Sequence, residues 1–379
     1  MFKTIFRISF ALCFALAANR SNAQQASQPV FTIVNGFDTA QSSSRGNASV
    51  SLPVLGFVLD QAGGLRPVVG IAGSASVGAP LALGFGIVRA AIPPNHDYIL
   101  AITADSNWPL LLQVRGNTIS VGTGNEFSNN RNAQRGACYN VDSLEDNGRF
   151  RCRGRAGMDR SPRIDRIALS ATGSAAALFS ETDGRIYAFS NLSRSPMLLG
   201  TFEVGALGTV SAFGISDDGR TIAFGISDGA TGSAYLIDSQ QAPRLIASMH
   251  HPSAIQFLRN NNGALIADDI DNSIYAFFGG QIYPIAGSAD GIATPAGIAI
   301  SNDNQKVFVG NSGSGSVTTI GLNGTGTQSA PCNCTLAELQ PTSADSVFEL
   351  TGFSGGSLSL FDGNSATPRM ILVPVGAQF

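Results

Sequence analysis

The sequence predicts an all-β fold, a seven-bladed β-propeller with a disulfide-stapled insertion loop. Three observations lead to this prediction. A short apolar strand recurs at a nearly constant step, a polar turn follows each copy, and a second hairpin pattern repeats on the same step. A blade is a four-stranded sheet made of two such hairpins, and blades must stack in a ring because one sheet alone leaves both faces wet.

Alanines mark the beginning of the first strand in each repeat. Ala212, Ala254 and Ala296 are separated by two steps of 42 residues, Ala168 precedes them by 44 residues, and Ala344 follows by 48. The turns after these strands are rich in glycine, asparagine and aspartate, which accept tight-turn dihedral angles. Only small side chains fit where blades converge, so we expect the alanines to lie near the axis.

The second hairpin pattern consists of an apolar strand, a polar turn and another apolar strand. Its seven copies begin at Phe57, Leu110, Ile186, Ala234, Ile274, Val317 and Leu358. Their starts are 40 to 53 residues apart except for one interval of 76, which contains an insertion at about residues 131–160. Seven copies predict seven blades. A β-sandwich gives no reason for a 42-residue period, and a β-helix repeats over a much shorter one.

One repeat carries a family resemblance. The stretch from Val307 to Val317, VFVGNSGSGSV, closely resembles the repeat of bacterial YVTN-type, WD40-like seven-bladed propellers. Phe308 and Gly310 depart from the tyrosine and threonine of the tetrapeptide that names the family. Residues 295–299 resemble the first strand of the same repeat. The resemblance implies the propeller fold but hardly bears on function, because one fold hosts many activities.

The first 23 residues have the pattern of an export signal. Lys3 and Arg7 precede an apolar segment at residues 8–18, and Ser21 and Ala23 are the small residues that a cleavage site requires. We therefore expect a secreted or periplasmic protein. No later apolar run reaches the ~18 residues that a membrane-spanning helix needs, so we expect no transmembrane segment in the mature chain.

The rest of the chain divides into two parts. Residues 24–46, rich in glutamine, serine and asparagine, are predicted to form a polar linker, and residues 47–377 the propeller. The last repeat, from Ser346 to Pro374, is short, so we expect it to supply three strands. A segment near the N terminus, either residues 30–34 or residues 50–55, would then complete the final blade and close the ring.

Four cysteines follow the signal, and an even number suits disulfide bonds in an exported protein. Three pairings are possible, but sequence proximity favours Cys138 with Cys152 and Cys332 with Cys334. The first pair would staple the insertion by closing a 15-residue loop, worth about 3 kcal/mol in the chain-entropy model. The second would close a small strained ring, so a reduced pair is an alternative. The spacings match no familiar zinc site.

The charges of the mature chain are unevenly distributed. It has 20 basic and 26 acidic side chains, and this acidic balance excludes general nucleic-acid binding, which needs dense positive charge. Nine of its 19 arginines lie in the window of residues 131–166. Four of them alternate with other residues, so an extended strand would present them on one face. They are the candidate anion-binding residues Arg149, Arg151, Arg153 and Arg155.

Two interpretations of this arginine-rich insertion remain open. It can bind an anionic glycan or an acidic protein surface. Alternatively, it is a solvated loop whose arginines pair with acids of the insertion and of the propeller.

The residues just ahead of each first strand are expected to surround the axis. Among them, Asp165, His250 and His251 are candidates for an axial funnel. One acid and a histidine pair do not make a metal cage, so we predict neither a metal nor a cofactor. The acidic run at residues 268–272 lacks the glycine and the distal glutamate of an EF-hand. Two glycine-x-serine-x-glycine stretches lack the strand-to-helix context of a nucleophile elbow, so we assign no catalytic residue.

These observations favour an exported, monomeric, non-enzymatic β-propeller that binds or scaffolds other molecules. The alternative is a lactonase-like propeller hydrolase or lyase with a polar site on the central axis.

Overall fold

A computed structural model describes residues 30–32, 53–115, 118–121, 141–144, 150–152, 162–229, 231–238, 241–332, 334, 336, 338–350 and 353–376. These residues contain 30 strands, numbered β1 to β30 in chain order, and two one-turn 3-10 helices. Seven sheets follow one another along the chain and form the blades of a β-propeller. The predicted all-β, seven-bladed fold is confirmed.

Six blades contain four consecutive strands, each paired antiparallel with the next. The strands of blades 2, 3 and 4 are β5 (Ile87–Ala91), β6 (Tyr98–Thr103), β7 (Leu110–Arg115), β8 (Thr118–Val121), β11 (Arg166–Leu169), β12 (Ala175–Ser180), β13 (Arg185–Ser190), β14 (Met197–Glu203), β15 (Val210–Ile215), β16 (Thr221–Ser227), β17 (Gly232–Asp238) and β18 (Arg244–Met249).

Blades 5, 6 and 7 follow the same plan, and blade 1 has three strands within the described residues. The strands of blades 5 to 7 are β19 (Pro252–Phe257), β20 (Ala264–Asp268), β21 (Ser273–Phe278), β22 (Gln281–Ala286), β23 (Pro295–Ile300), β24 (Lys306–Asn311), β25 (Ser316–Gly321), β26 (Gln328–Pro331), β27 (Gln340–Pro341), β28 (Val347–Glu349), β29 (Leu358–Asp362) and β30 (Arg369–Val373). The strands of blade 1 are β2 (Val54–Leu59), β3 (Leu65–Val69) and β4 (Ser76–Val77).

The second strand is completely buried in several blades. Every residue of β6, β12 and β20 is buried, because both faces of these strands pack against neighbouring blades. One such contact joins Phe179 of blade 3 to Phe213 of blade 4, with ring centroids 5.9 Å apart. This inter-blade packing removes from water the two apolar faces that an isolated sheet would expose.

The first turn of each blade fixes a common register for the inner strands. The backbone N–H of Ser216 donates to the carbonyl of Thr221 at 2.9 Å, and Thr342 donates to Val347 in the same way at 3.0 Å. We call the residue that donates this N–H, Ser216 in blade 4 and Thr342 in blade 7, the turn residue of its blade. Glu338 therefore corresponds to Ala212, since each lies four residues before its turn residue. Ala344 lies inside the turn of blade 7, so its expected place at the start of a first strand is wrong.

Blade 1 is built differently from the other six. The Leu55 carbonyl, near the start of β2, accepts a 2.8 Å hydrogen bond from the N–H of Ser343, in the turn that precedes β28. Asp60, just after β2, forms a parallel bridge with Phe353, which lies beyond the end of β28. The strand β2 therefore runs against the direction of the other inner strands. It corresponds to the second strand of a blade, and the described residues of blade 1 contain no first strand.

The expectation that the final blade supplies three strands is wrong. Blade 7 has four strands of its own, because β27 begins at Gln340, upstream of the predicted start at Ser346. The strand β1 (Val30–Thr32) pairs with β8 and is the fifth strand of blade 2. The ring thus closes through contacts between blades 7 and 1, which include a parallel bridge between Val77 and Val375.

The predicted insertion contributes a separate two-stranded ladder, β9 (Val141–Leu144) with β10 (Phe150–Cys152). Cys138 lies outside the described residues, so its pairing with Cys152 stays a prediction. The Sγ atoms of Cys332 and Cys334 lie 2.04 Å apart, at disulfide distance. Throughout the described ranges, no helix has the length and apolar character that crossing a membrane requires.

Candidate functional site

A cavity of about 800 Å³ lies on the axis of the ring. First strands and first turns of blades 2 to 7 form most of its wall, and blade 1 contributes Leu59. The volume lies within the ~300–1,000 Å³ that is typical of small-molecule sites. The cavity is therefore the candidate functional site of the propeller.

One position of the inner strands carries charge in three of the blades. It lies four residues before the turn residue, next to a β-bulge in several blades. In blades 2 to 7 the residues at this position are Arg89, Arg166, Ala212, Ala254, Gly297 and Glu338. Blades 7, 2 and 3 thus form a charged side of the channel, and blades 4 to 6 form a side of small residues.

The two arginines hold neighbouring inner strands together. Arg166 of blade 3 donates from Nη1 to the Ser211 carbonyl at 2.8 Å and from Nη2 to the Val210 carbonyl, both in blade 4. Its guanidinium also lies over the ring of Phe179, 5.0 Å from the centroid. Arg89 of blade 2 donates from Nη1 to the Asp165 carbonyl of blade 3 at 3.1 Å, and its side chain stays exposed in the channel.

Serine hydroxyls connect the inner strands on the uncharged side. Ser211 Oγ donates to the Pro252 carbonyl at 2.6 Å, and Ser253 Oγ donates to the Pro295 carbonyl at 2.6 Å. Each bond links one blade to the next. These hydroxyls are thereby engaged within the protein, so this half of the wall offers a ligand few hydrogen-bond donors.

Two glutamates of blade 7 lie on the side of the ring next to blade 1, where Glu338 lines the cavity and Glu349 is buried on β28. Glu338 and Glu349 occupy the positions that Ala212 and Ala223 occupy in blade 4, and those alanines pack against Ile255 of blade 5. Blade 1 has no described first strand to meet the glutamates. Neither carboxyl forms a hydrogen bond or an ion pair with any residue in the described part of the chain.

Burial makes both carboxyls weaker acids. It raises the pKa of Glu349 well above the ordinary value, and the negative charge of Glu338 raises that pKa further. Glu338 keeps surface exposed to the cavity, but protein atoms surround it and this burial raises the pKa of its carboxyl. The positive charge of Arg89 lowers the pKa of Glu338 and so opposes that rise.

His96 lies in the first turn of blade 2 and reaches across to blade 1. Its ring packs edge-on against Phe57, with centroids 5.9 Å apart, and a Cβ atom at Gly56 would lie 3.7 Å from His96 Cε1. Neither ring nitrogen forms a geometrically ideal hydrogen bond within the described ranges, and the partner nearest to the ring is the backbone carbonyl of Pro341. Burial lowers the pKa of His96 to about 4, so the ring is neutral at pH 7.

The other end of the channel is ringed by the first turns of the blades. Asp217 accepts hydrogen bonds from blades on both sides, from Thr172 Oγ1 at 2.6 Å and from the Asn260 N–H at 2.7 Å. Arg259 is half-buried beside Asp217 and Asp345, and burial lowers the pKa of its guanidinium. These contacts hold the turns of blades 3 to 5 in one belt.

The predicted funnel residues lie around the channel mouth, and the wall is formed by other residues. Asp165 accepts the Glu181 N–H at 2.9 Å and lies 3.4 Å from Arg163 Nε, so its carboxylate points toward its own blade. The Nδ1 atoms of His250 and His251 lie 2.7 Å from the carboxylates of Asp271 and Asp269. The hydrogen bond to Asp271 raises the pKa of His250.

The cluster of His250, Asp268 and Asp271 has ligand atoms within 4.8 Å of one another. Asp268, however, is fully buried and each of its carboxylate oxygens already accepts two backbone N–H groups. The donors are His250, His251, Ile270 and Asp271, at 2.8 to 3.2 Å. The cluster is explained as a turn stabilised by Asp268.

The predicted anion-binding residues Arg149, Arg153 and Arg155 lie outside the described residues, and Arg151 lies in β10. Their role stays a prediction. The sequence missed Arg89, Glu338, Glu349 and His96 as site residues. The hydroxyl that begins the first turn, at Ser170, Ser216, Ser301 and Thr342, is the signal that places Glu338 in the register of Ala212.

No protein-family model and no curated protein matches the chain, so the YVTN-type resemblance stays a prediction. A functionally unknown protein from Desulfotomaculum acetoxidans shares the fold at 14% identity and a TM-score of 0.54, over 86% of this chain and 100% of that one. A chain of a nidogen/laminin complex matches with 12% sequence identity and a TM-score of 0.43, and the match covers 73% of this chain and 92% of that one. A catalytically inactive virginiamycin B lyase from Staphylococcus aureus matches with 11% sequence identity and a TM-score of 0.48, and the match covers 76% of this chain and 84% of that one. The likeness to the Desulfotomaculum acetoxidans protein supports the propeller fold alone.

Proposed function

We propose that the protein is an exported, non-enzymatic binding propeller that takes a small polar ligand in its axial channel. One observation carries the proposal: charged side chains line one side of the cavity without partners for all of their hydrogen-bonding groups. Of these lining side chains, Arg89 uses Nη1 alone within the described residues and Glu338 has no described partner. A ligand that supplies the missing donors and acceptors would complete these contacts.

The energetics of burial support a ligand. A buried carboxyl without a donor loses hydration and gains nothing in return, at a cost of several kcal/mol for the ionised form. An apolar side chain at the position of the buried Glu349 would avoid that cost, as the equivalent Ala223 does in blade 4. A buried glutamate beside the cavity-lining Glu338 therefore supports a binding role.

Blocking the channel tests this function. Ala296 lines the cavity, and the substitution Ala296→Phe places a ring in the space that a ligand needs. Screening a library of charged metabolites by thermal shift, we expect hits that stabilise the wild type by about 2.7 kcal/mol at a concentration 100 times the Kd. The same hits should bind Ala296→Phe at least tenfold more weakly.

The matched control is Ala242→Phe, which adds the same ring at an exposed loop position. It should retain wild-type affinity for every hit. Ligands that bind Ala296→Phe as tightly as the wild type would contradict binding in the channel.

A hydrolase or lyase acting in the same channel is the second candidate. The raised pKa of Glu349 favours it, because a carboxyl that holds its proton toward neutral pH can act as a general acid. If this candidate is right, a lactone and ester screen should detect turnover that Glu349→Gln lowers at least 100-fold and the exposed control Glu181→Gln leaves unchanged. Equal turnover in both variants would contradict it. Metal analysis of the same preparation would detect a stoichiometric divalent ion.

A further inference from the structure

The seam between blades 7 and 1 interrupts the pattern by which inner strands bind one another. Arg89 and Arg166 each donate from the same register position to carbonyls of the following blade. At that position blade 7 has Glu338, which can only accept when ionised, and the described part of blade 1 has no first strand. The carboxyl therefore faces a space where the described protein supplies no hydrogen-bond donor.

A second carboxyl lies close to Glu338 on the same blade. Glu349 is 8% exposed and lies on β28, opposite Gln340 of β27, and Gln340 is two residues beyond Glu338. The negative charge of Glu338 acts on the Glu349 carboxyl, which has no hydrogen-bond partner among the described residues. His96, also 8% exposed, lies farther along the seam, beside Gly56 and Thr342 at the first-turn end of the channel.

An ammonium group suits the two carboxyls better than a metal ion. It supplies three N–H donors and a positive charge, and both glutamates accept. In the described residues, three metal-ligating side chains come together only in the Asp268 turn, so this seam lacks a third carboxylate or histidine at ligand distance. Leu59 and Val88 add apolar wall that an organic ligand can contact.

Arg89 supplies the opposite charge on the other side of blade 1. The guanidinium is exposed in the channel, with Nε and Nη2 donating to no described residue. It influences the Glu338 carboxyl electrostatically, but no N–O distance between them is as short as the 4.0 Å of an ion pair. The Glu338 carboxyl and the Arg89 guanidinium thus lie at the same register position of the inner strands without contacting each other.

We propose that this seam binds a zwitterion, with its ammonium group at Glu338 and Glu349 and its carboxylate at Arg89. The proposal rests on the proposed function, because it names the ligand class of the same channel. Since the protein charges stand apart, the ligand is one whose own charges are separated by several bonds, such as an ω-amino acid or a dipeptide.

Affinity should rise with pH for a zwitterion held in this way. The ammonium group requires ionised carboxylates, and the pKa values of Glu338 and Glu349 are raised, so ionisation is completed at a higher pH than for an exposed glutamate. The pKa of His96 is about 4, so its ring does not account for a change in affinity above pH 5. Binding should therefore weaken as the pH falls through the raised carboxyl pKa values.

Calorimetric titration with a defined series tests the proposal. The ligands are glycine, β-alanine, 6-aminohexanoate and glycylglycine, with butylamine and butyrate as singly charged controls. We expect a longer zwitterion to bind at least tenfold more tightly than glycine, butylamine and butyrate. Glu338→Gln and Arg89→Gln should each weaken it at least tenfold, while the exposed controls Glu181→Gln and Arg194→Gln leave it unchanged.

The outcomes separate this inference from the proposed function. If no zwitterion of the series binds, or if Glu338→Gln and Arg89→Gln bind it like the wild type, the zwitterion proposal is wrong. Channel binding itself would still stand if other ligands lose affinity in Ala296→Phe. If Ala296→Phe changes the binding of no ligand, the proposed function is wrong as well.

Discussion

Replacing Asp268 with alanine is expected to lower the free energy of unfolding by about 4 kcal/mol. The carboxylate is fully buried and accepts four backbone N–H groups, from His250, His251, Ile270 and Asp271. Alanine removes all four acceptor contacts and leaves the donors without partners. The turn that leads into β19 and the turn after β20 should both lose their anchor. Urea denaturation followed by circular dichroism measures the change.

Asp269→Ala is the matched control, because the neighbouring carboxylate is half-buried and contacts the ring of His251. Its cost should stay below about 1 kcal/mol, as is typical of partly exposed pairs. Equal costs for the two variants would show that the buried carboxylate does not anchor the turns.

Replacing Arg166 with alanine is expected to cost about 3 kcal/mol of unfolding free energy. The guanidinium donates to two carbonyls of blade 4 and lies over Phe179 and Phe213, so alanine removes a bridge between blades and opens a gap beside two rings. The urea midpoint reports this loss. Arg166→Lys should recover part of it, since one ammonium can replace one of the two donor groups.

The control for this substitution is Arg220→Ala, which removes an exposed guanidinium from the first turn of blade 4. Its effect should lie within about 0.5 kcal/mol of zero. A loss at Arg166 no larger than the loss at Arg220 would mean that the bridge adds nothing to the stability of the ring.

The sequence predicts the repeating part of this fold because one physical constraint recurs in it. Small residues at Ala212 and Ala254 and polar turns after them return every 42 residues, and the structure places them on inner strands beside the channel. Six of the seven predicted hairpins are third and fourth strands of blades. The copy at Phe57 is instead the hairpin of β2 and β3. A local pattern of apolar and polar residues cannot distinguish this hairpin from one made of third and fourth strands.

The site was harder to predict from the sequence, because its residues depart from the repeating pattern. Alignment on alanine placed Ala344 at the start of a strand, whereas the turn hydroxyl of Thr342 places Glu338 there. Glu338 of blade 7 and Arg89 of blade 2 are far apart in sequence, yet both line the cavity on the two sides of blade 1, which lacks a described first strand. No periodic signal reports the absence of one member of a repeat. The direction of β2 follows from contacts with blade 7 rather than from its own residues.

The consecutive order of the strands within the blades has a consequence for how the chain can assemble during synthesis. Each of blades 2 to 7 contains four consecutive strands, to which blade 2 adds the earlier strand β1, so a ribosome can release a complete sheet before the next is translated. Growth can therefore proceed as a row of stacked sheets, each docking on its predecessor. The last step is the arrival of blade 7 at the side of blade 1. The side of the cavity between blades 7 and 1 is thus assembled last, and a product truncated before blade 7 would lack it.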